Sequence, residues 1–266
     1  MPEGDTIHKL AVYLDAELNG KEVTGVRLQP RFGPSCGPRR VSGVGSEGKH
    51  LFVTFDDGVE LRSHLGMYGS WHRYRPSQPW KRPARQASIV IRTGQADYVC
   101  FNAKEVQWLR RQGFERADLG NRLGPDLIRD PFDPDALASR IAALLSPDAA
   151  IVDVLLDQRI AAGIGNVYKS EVLFLQGHSP HLRLKELTAE QVTALYRCAA
   201  EHLGNNLGGG PRTTRRTLDG RGRLWVYGRF DRPCLRCGTP IRRAYLGTHR
   251  RSTYWCPGCQ SASAMR

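Results

Sequence analysis

The first residues of the chain carry a combination that can perform covalent chemistry. Once Met1 is removed, Pro2 presents a secondary amine, which can attack an electrophilic sugar carbon and form a Schiff base. An α-amino group has a reference pKa of ~8, so more of it is unprotonated at neutral pH than of a lysine. Glu3 follows directly and can act as a general acid and base. Taken alone, the same residues also suit an ordinary helix start, where the macrodipole favours an acidic side chain.

Four of the seven cysteines have the spacing of a metal site. Cys234 and Cys237 form one Cys-x-x-Cys pair, Cys256 and Cys259 form a second, and 18 residues separate the two pairs. This spacing is typical of tetrahedral zinc held by four thiolates. The alternative is two disulfides or two redox pairs, and a cytosolic location disfavours disulfides. The spacing therefore predicts one structural Zn²⁺ ion and no catalytic zinc.

The positive charge of the chain is concentrated near these cysteines. The sequence has 39 basic and 26 acidic residues, which gives a net charge of +13. Between Pro211 and Arg251 there are twelve arginines but only two acidic residues, Asp219 and Asp231. A stretch of one sign that is interleaved with aromatic residues indicates a phosphate-binding surface. Nucleic acid is the favoured partner, ahead of a generally basic surface and of a membrane surface.

Length and hydropathy limit the class of protein. The 266 residues are 40% hydrophobic and suffice for one large domain or two ordinary ones. No apolar run approaches the ~20 residues that span a bilayer, and the first residues lack the pattern of a signal peptide. We therefore expect a cytoplasmic protein that has no membrane partner and acts as a monomer.

The first half of the chain must position the N-terminal residues. Apolar residues at helical spacing predict a helix over 4–19, which would hold the terminus in place. From about 22 to 108 the pattern is strand-like. Strands over 51–55 and 59–63 flank Asp57-Gly58, which is a strong hairpin signal, and a second strand pair covers 88–92 and 97–101. Segment 73–86 is expected to be a loop. These strands predict a β-sandwich.

The second half has a helical pattern. Glycines and prolines over 115–135 are typical of a linker, and helices are predicted over 135–145, 150–158, from about 166, and over 188–203. The end of the chain, from about 224, is predicted to be a β-hairpin that carries the zinc. The fold class is α+β, because strands come first and helices second. The domain boundaries that we predict are 1–120, 121–223 and 224–266.

Segment 158–174 joins two predicted helices through a turn that contains Gly163 and Gly165. The second helix begins with Asn166, and its backbone amides and the asparagine side chain would bind a phosphate. An ordinary helical hairpin with glycine turns is the alternative for this segment.

The combination of these three motifs resembles the Fpg/Nei family of bacterial DNA glycosylases, and within it the endonuclease VIII branch. The shared features are the Pro-Glu-Gly start, the helix–two-turn–helix segment 158–174, and the zinc finger that ends Arg251-Ser-Thr-Tyr-Trp-Cys-Pro-Gly-Cys-Gln260. They lie at the beginning, middle and end of the chain, so the resemblance covers essentially its whole length. It implies a bifunctional DNA glycosylase/AP lyase of base excision repair that acts on damaged double-stranded DNA and is located with the bacterial nucleoid.

The resemblance also implies roles for individual residues. Pro2 would be the nucleophile at C1′ of the damaged nucleotide, and Glu3 would donate and accept protons during base loss and ring opening. Lys49, in the sequence Gly-Lys-His-Leu, would contact the phosphate beside the lesion, and Asn166 and Arg251 would hold further phosphates. Lys49 as a surface strand lysine, and Arg251 as one more member of the basic stretch, are the simpler alternatives.

Base excision takes a nucleotide out of the stack, so another group must fill the gap. The sequence His-Leu-Gly-Met-Tyr-Gly over 64–69 follows a predicted strand and matches the family's intercalation loop. Met67 is flexible and apolar, which suits a wedge between bases, and Leu65 and Tyr68 would assist it. Alternatively, Leu65 and Met67 are core residues of the sheet.

The chain departs from the family pattern at three places. Asp5 and Thr6 replace the Pro or Leu-Pro and Glu found in many relatives, which affects an acidic contact near the active site. Phe101-Asn102 is not followed by the Arg-Phe wedge of Fpg, and the segment between Gly210 and Val226 is shorter than the Fpg loop that covers an oxidised purine. The last two departures favour oxidised pyrimidines as substrates. The alternatives are an 8-oxoguanine glycosylase and a non-catalytic zinc-containing DNA-binding protein.

Overall fold

A computed structural model describes residues 2–217 and 219–260. The chain divides into two compact units, Met1–Arg122 and Leu123–Arg266. The helices are α1 (Gly4–Leu18), α2 (Phe114–Arg122), α3 (Pro134–Leu144), α4 (Ile151–Leu156), α5 (Asn166–Leu175) and α6 (Ala189–Gly204). The strands are β1 (Glu22–Val23), β2 (Gly25–Leu28), β3 (Arg39–Glu47), β4 (His50–Phe55), β5 (Val59–His64), β6 (Ser70–Tyr74), β7 (Ala87–Arg92), β8 (Asp97–Phe101), β9 (Glu105–Arg110), β10 (Arg242–Leu246) and β11 (Arg251–Trp255). Among the described residues, none of these helices combines the length and apolarity that a membrane span requires.

The first unit contains two antiparallel sheets and α1. One sheet has the strand order β1-β3-β4-β5-β9 and the other has the order β2-β7-β8-β6. Alternate residues of both sheets point inward, and they meet the apolar face of α1 in one core. This core includes Ile7, Leu14, Leu18, Val26, Val41, Leu51, Val53, Leu61, Ile89, Ile91, Tyr98 and Cys100. The predicted sandwich and the α+β fold class are confirmed.

Helix α1 is tied to both sheets by polar contacts as well as by its apolar face. The Asp15 carboxylate accepts a hydrogen bond from the backbone N–H of Val44 in β3 at 2.7 Å. On the other sheet, the Tyr98 hydroxyl donates to Glu17 at 2.6 Å, and this contact lowers the pKa of Glu17. These contacts join α1 to strands remote in sequence, so the start of the helix has a defined place in the first unit.

The predicted hairpin is confirmed, with slightly longer strands than expected. Strands β4 and β5 pair in antiparallel register around a turn in which Gly58 has a φ of 75°. This backbone conformation favours glycine, and the Asp57 side chain accepts from the N–H of Val59 at 3.1 Å. The predicted loop over 73–86 begins later than expected, because β6 continues to Tyr74.

The predicted linker over 115–135 is partly wrong, since its first residues form α2. The helix covers the outer face of the five-stranded sheet through Arg116. Its guanidinium binds Glu47 at 2.6 Å and Glu60 at 3.0 Å, and it lies 4.4 Å from the ring centroid of Phe52. Because these partners come from β3, β4 and β5, the composition of the segment alone did not indicate a helix.

The second unit has a helical core to which α3, α4, α5 and α6 contribute. Side-chain caps fix the starts of two of them: the Asp133 side chain accepts from the N–H groups of residues 135 and 136 before α3, and Thr188 and Gln191 form a capping box at α6. The helices match the predicted ones to within one or two residues at each end.

Strands β10 and β11 form the predicted hairpin of the cysteine-containing region. A small apolar cluster of Phe174 from α5 with Val226, Ile241, Cys234 and Cys256 packs this region on the helices. The hairpin therefore lies in the same compact unit as the helices. The separate domains 121–223 and 224–266 stay a prediction.

Candidate nucleic-acid interface and cysteine cluster

The N-terminal residues lie at the start of α1. Glu3 is the N-cap residue, and its carbonyl accepts hydrogen bonds from the N–H groups of Thr6 at 2.9 Å and Ile7 at 3.0 Å. Glu3 is fully buried, whereas Pro2 is half-buried. The α1 contacts with both sheets thus fix the backbone that begins with Pro2 and the buried Glu3, and an amine followed by a carboxyl group has the residue types that amine attack with proton transfer requires.

Lys49 occupies the turn between β3 and β4. Gly48 precedes it with a φ of 56°, so the tight turn depends on glycine at that position. Lys49 is half-buried, and α1 packs on both strands that flank its turn. Lys49 therefore lies in the turn between two strands that both pack against α1.

The segment 65–69, which we call the wedge loop, separates β5 from β6. Met67 and Tyr68 are 46% and 74% exposed, although both are of types that usually pack inside. Two glycines shape the loop: Gly66 has a φ of 61°, and a Cβ on Gly69 would lie 2.4 Å from the carbonyl oxygen of Leu65. The exposed side chains suit insertion into a base stack.

The expectation for Leu65 as a wedge residue is wrong. Leu65 is 3% exposed and packs in the core between the sheets. It continues the inward face of β5, two positions beyond Ser63 and four beyond Leu61, so the strand periodicity directs it to the core. Leu65 is therefore a core residue of the sheet, as the alternative interpretation predicted, whereas Met67 is not.

In the second unit, hydrogen bonds of one side chain shape the turn before α5. The amide of Gln158 donates to the carbonyls of Leu156 at 2.8 Å and Ile164 at 3.1 Å and accepts from the N–H of Gly163 at 3.1 Å. Helix α5 then begins at Asn166, which is 4% exposed. The positive end of the helix macrodipole lies at Asn166, which suits a phosphate.

Arg251 is the first residue of β11 and is exposed. The hairpin turn before it is held by Asp153 of α4, whose carboxylate accepts from the N–H of Thr248 at 2.8 Å and from its hydroxyl at 3.0 Å. After it, the ammonium group of Lys169 donates to the Thr253 hydroxyl at 2.8 Å. The helices therefore fix the part of the hairpin that presents Arg251.

Glu171 is a site-shaping residue that sequence reasoning missed. It is fully buried in α5 and accepts hydrogen bonds from the backbone N–H groups of Trp225, Val226 and Tyr227 at 2.8–2.9 Å and from the Thr214 hydroxyl. Burial raises the pKa of Glu171, and the four donors oppose this rise. A signal was present in the sequence: Lys, Ser and Glu stand together at 169–171, directly before the apolar run 172–175 of the same helix, so they require partners when the helix is buried.

The segment that Glu171 holds borders a cavity rich in arginine. The cavity has a volume of about 750 Å³. Its lining residues include Arg212, Arg221, Arg223, Arg229 and Arg232. Nearby Arg215 is instead paired with Asp219, which lowers the pKa of that carboxyl group. A cavity with so many guanidinium groups favours phosphate or another anion.

The four paired cysteines converge as expected. Their Sγ atoms all lie within 4.8 Å of one another, with Cys237 and Cys256 3.4 Å apart and Cys234 and Cys259 3.8 Å apart. Hydrogen bonds from Thr239 lower the pKa of Cys237 to about 6, whereas burial raises the pKa of Cys256 to about 11. Four thiols in this arrangement could hold a metal ion, for which they would lose their protons.

Comparison with known proteins agrees with this architecture. The description "Formamidopyrimidine-DNA glycosylase N-terminal domain" matches residues 1–106, and "Formamidopyrimidine-DNA glycosylase H2TH domain" matches residues 123–217. Together the two matches cover most of the chain. The protein therefore belongs to the formamidopyrimidine-DNA glycosylase family, and it is an enzyme of the class of DNA N-glycosylases that are also abasic-site lyases.

Curated relatives match over the full length. "Probable endonuclease 8 2" of Streptomyces coelicolor is 40% identical over 272 residues, which cover 100% of this chain and 96% of that protein. "DNA-(apurinic or apyrimidinic site) lyase Nei2" of Mycolicibacterium smegmatis is 37% identical over 266 residues, covering 99% and 100%. "Endonuclease 8" of Escherichia coli is 29% identical over 274 residues, covering 98% and 100%.

The fold is shared with solved structures. The Lactococcus lactis formamidopyrimidine-DNA glycosylase bound non-covalently to DNA that contains an AP site superposes with a TM-score of 0.81. It is 22% identical, and the match covers 97% of this chain and 99% of that one. At this identity the likeness concerns the fold alone, and it agrees with the β-sandwich, the helical region and the cysteine-containing hairpin described above.

Proposed function

We propose that the protein excises oxidised pyrimidines from damaged double-stranded DNA and then cleaves the abasic site by β,δ-elimination. The observation that carries the proposal is the start of α1, where Pro2 precedes the fully buried Glu3 in a helix tied to both sheets. An amine nucleophile and a proton-transferring carboxyl group are thereby adjacent. The names of the curated relatives support the same class of activity.

In the first step, the Pro2 nitrogen attacks C1′ of the damaged nucleotide, and the bond between C1′ and the base breaks. The leaving base takes up a proton, which balances the proton that the Pro2 nitrogen loses as its bond to C1′ forms. Glu3 exchanges protons with the sugar as the C1′–O4′ bond opens and an iminium forms between Pro2 and C1′. A secondary amine forms this cationic Schiff base directly, without loss of a second proton from nitrogen.

The iminium then acts as an electron sink for strand cleavage. Loss of a proton from C2′ breaks the C3′–O3′ bond, and a second elimination breaks the C5′–O5′ bond. Hydrolysis releases the sugar remnant from Pro2, and a gap of one nucleotide remains. Glu3 is the group adjacent to Pro2 that can accept and return these protons.

Binding of the damaged strand involves phosphate contacts and a wedge. Lys49 at its hairpin turn, Asn166 at the start of α5 and Arg251 at the start of β11 contact phosphates and set the register without reading the sequence. Met67 and Tyr68 of the wedge loop enter the space that the extruded nucleotide leaves. The exposure of both side chains supports this role.

The preference for oxidised pyrimidines follows from two departures from the Fpg pattern. After Asn102 the chain continues as Ala-Lys-Glu in place of an Arg-Phe wedge, and the segment after Gly210 is short. Both departures remove contacts that would cover an oxidised purine in Fpg.

We further propose that the cysteine cluster binds one structural Zn²⁺ ion. Four thiolates at the ordinary Zn–S distance of about 2.3 Å in a tetrahedron have sulfurs about 3.8 Å apart. Three of the six Sγ–Sγ separations are 3.4–3.8 Å, and all four Sγ atoms lie within 4.8 Å of one another, which suits that geometry. The ion would hold the two cysteine pairs together and thereby maintain the hairpin that presents Arg251.

The central test is borohydride trapping with oligonucleotides that contain thymine glycol, 8-oxoguanine or an abasic site. We expect a covalent adduct on the abasic site and on thymine glycol, and slower adduct formation on 8-oxoguanine. An extra residue in front of Pro2 converts the amine into an amide and should abolish trapping. Glu3→Gln should slow base release, whereas Glu22→Gln at an exposed position of β1 is the matched control and should behave as wild type.

The outcomes separate the parts of the proposal. Trapping that persists with the blocked N-terminus would contradict Pro2 as the nucleophile. Faster processing of 8-oxoguanine than of thymine glycol would overturn the substrate preference and leave the chemistry intact. A protein that binds these duplexes and forms no adduct with any of them would be a non-catalytic DNA-binding protein.

A further inference from the structure

The loop between β6 and β7 is a second basic segment of the chain, and the proposed function gives it no role. We call residues 75–86 the basic loop. It has no acidic residue, and its cations are Arg75, Lys81, Arg82 and Arg85. Arg73, in the strand before it, is paired with Glu17, whereas none of the four loop cations forms an ion pair within the described part of the chain. The basic loop therefore carries positive charges that the protein itself does not neutralise.

The basic loop is ordered by the face of the four-stranded sheet that points away from α1. Trp80 packs there on an apolar cluster, and its ring centroid lies 5.8 Å from that of Phe101. The backbone N–H of Lys81 donates to the Tyr74 hydroxyl at 3.3 Å. Prolines at 76, 79 and 83 restrict the backbone further. Cations on such a preordered support bind a ligand at a smaller entropic cost than cations on a flexible loop.

The basic loop ends at the end of the sheet that carries the wedge loop. Ser70 follows the wedge loop directly and pairs with Phe101, which in turn pairs with Ala87, the first residue after the basic loop. Neighbouring strands lie about 4.8 Å apart, so Ala87 is about 10 Å from Ser70 across the sheet. The Gln29 side chain donates to the Arg85 carbonyl at 3.2 Å and fixes this part of the loop. The two loops therefore leave one sheet at the same end.

We propose that the basic loop binds the phosphate backbone of the DNA beside the lesion. The inference rests on the proposed function, because it takes Met67 as the wedge that fixes the DNA at this end of the sheet. One strand of a duplex carries a phosphate every 3.4 Å or so of helix axis, so a separation of about 10 Å corresponds to about three base pairs. Arg85 is exposed and Arg82 is half-exposed, and both precede Ala87 closely. This position favours DNA over an acidic protein as the partner of the loop.

The test compares two variants that each lose two arginines. Arg82→Gln/Arg85→Gln removes charge from the basic loop, and Arg110→Gln/Arg111→Gln removes it from exposed positions at the end of the five-stranded sheet remote from the wedge loop. Affinity for a duplex with an uncleavable abasic analogue is measured as a function of salt concentration. Each lost phosphate contact reduces the slope of log K against log salt by about 0.9, so the loop variant should have a slope shallower by about 1.8, which is roughly 60-fold in affinity at ~0.1 M salt. The control variant should keep the wild-type slope.

Methylphosphonates, which lack the phosphate charge, locate the contact on the DNA. Replacement of single phosphates along both strands should weaken binding of the wild type at one or two positions about three base pairs from the abasic analogue. The same replacements should have no effect in Arg82→Gln/Arg85→Gln. Arg82→Lys/Arg85→Lys keeps both charges and should restore the slope, and thermal melting of each variant verifies that the fold is retained.

A wild-type slope in Arg82→Gln/Arg85→Gln would overturn the proposal and would favour an acidic protein as the partner of the basic loop. Methylphosphonate effects that are the same in this variant and in the wild type would overturn it as well. Failure of the wild-type protein to form a borohydride adduct on abasic DNA would instead contradict the proposed function, and the slopes would still report whether the loop contacts the duplex.

Discussion

Replacement of Glu171 by glutamine tests the contact that attaches the arginine-rich segment to α5. The glutamine oxygen can keep the N–H groups of Val226 and Tyr227, and its NH₂ group then faces Thr214 and the N–H of Trp225. The threonine hydroxyl can rotate and accept a hydrogen bond from this NH₂ group. The backbone N–H of Trp225 can only donate, so it loses its acceptor. One buried donor is left without an acceptor and the other bonds lose their charge assistance, for a total cost of about 2–4 kcal/mol.

The loss of stability should appear in the melting temperature of the protein and in the hydrogen exchange of the segment that Glu171 holds. It corresponds to a fall in the melting temperature of roughly 4–16 °C, if 1 kcal/mol shifts a domain of this size by roughly 2–4 °C. Hydrogen exchange followed by mass spectrometry should show faster exchange at residues 225–227, and affinity for DNA should fall because Tyr227 lines the arginine-rich cavity.

The matched control is Glu201→Gln on α6, an exposed position where a surface change should cost less than about 0.5 kcal/mol. If Glu171→Gln melts like the wild type and amides 225–227 exchange at the wild-type rate, the carboxylate does not hold the segment and the reasoning fails.

Three further predictions concern the metal, acid and the hairpin turn. Chelation should release one equivalent of zinc per chain and abolish DNA binding, and a colorimetric zinc assay that finds no zinc in the purified protein would contradict the site. Acid should destabilise the protein between pH 6.5 and about 4: the folded-state pKa of His64 is the lower one, so the unfolded state binds more protons there and stability falls as the pH falls. The shift from 6.5 to about 4 corresponds to about 3 kcal/mol, and urea unfolding at pH 7.0 and 4.5 should show a smaller pH effect in His64→Phe than in the wild type. Asp153→Ala should cost about 1–2 kcal/mol, accelerate exchange of the Thr248 amide and weaken DNA binding through Arg251; unchanged exchange would show that the turn does not need this contact.

Local patterns were sufficient for the regular elements. The apolar spacing around Ile7 and Leu14 predicted α1 to within one residue of its observed end, and Asp57-Gly58 predicted the β4–β5 hairpin. Both signals depend on neighbours within a few positions, where backbone preference and side-chain periodicity act directly. Segment 114–122 carries no such signal, because α2 is stabilised by Arg116 and its carboxylate partners on two strands.

The sequence by itself determined which chemical groups the protein has: a proline and a glutamate directly after Met1, two cysteine pairs, and a basic stretch that suits a polyanion. Their identity and spacing are covalent properties, so they do not depend on the fold. Only the tertiary structure decided that Leu65 points inward while Met67 and Tyr68 are exposed, and that Glu171 holds a segment 54 positions away. It also placed His50 against His64 and Lys169 against Thr253, 84 positions apart. Such partners meet because buried polar groups must find hydrogen bonds wherever packing brings a donor and an acceptor together, and no local rule specifies that place.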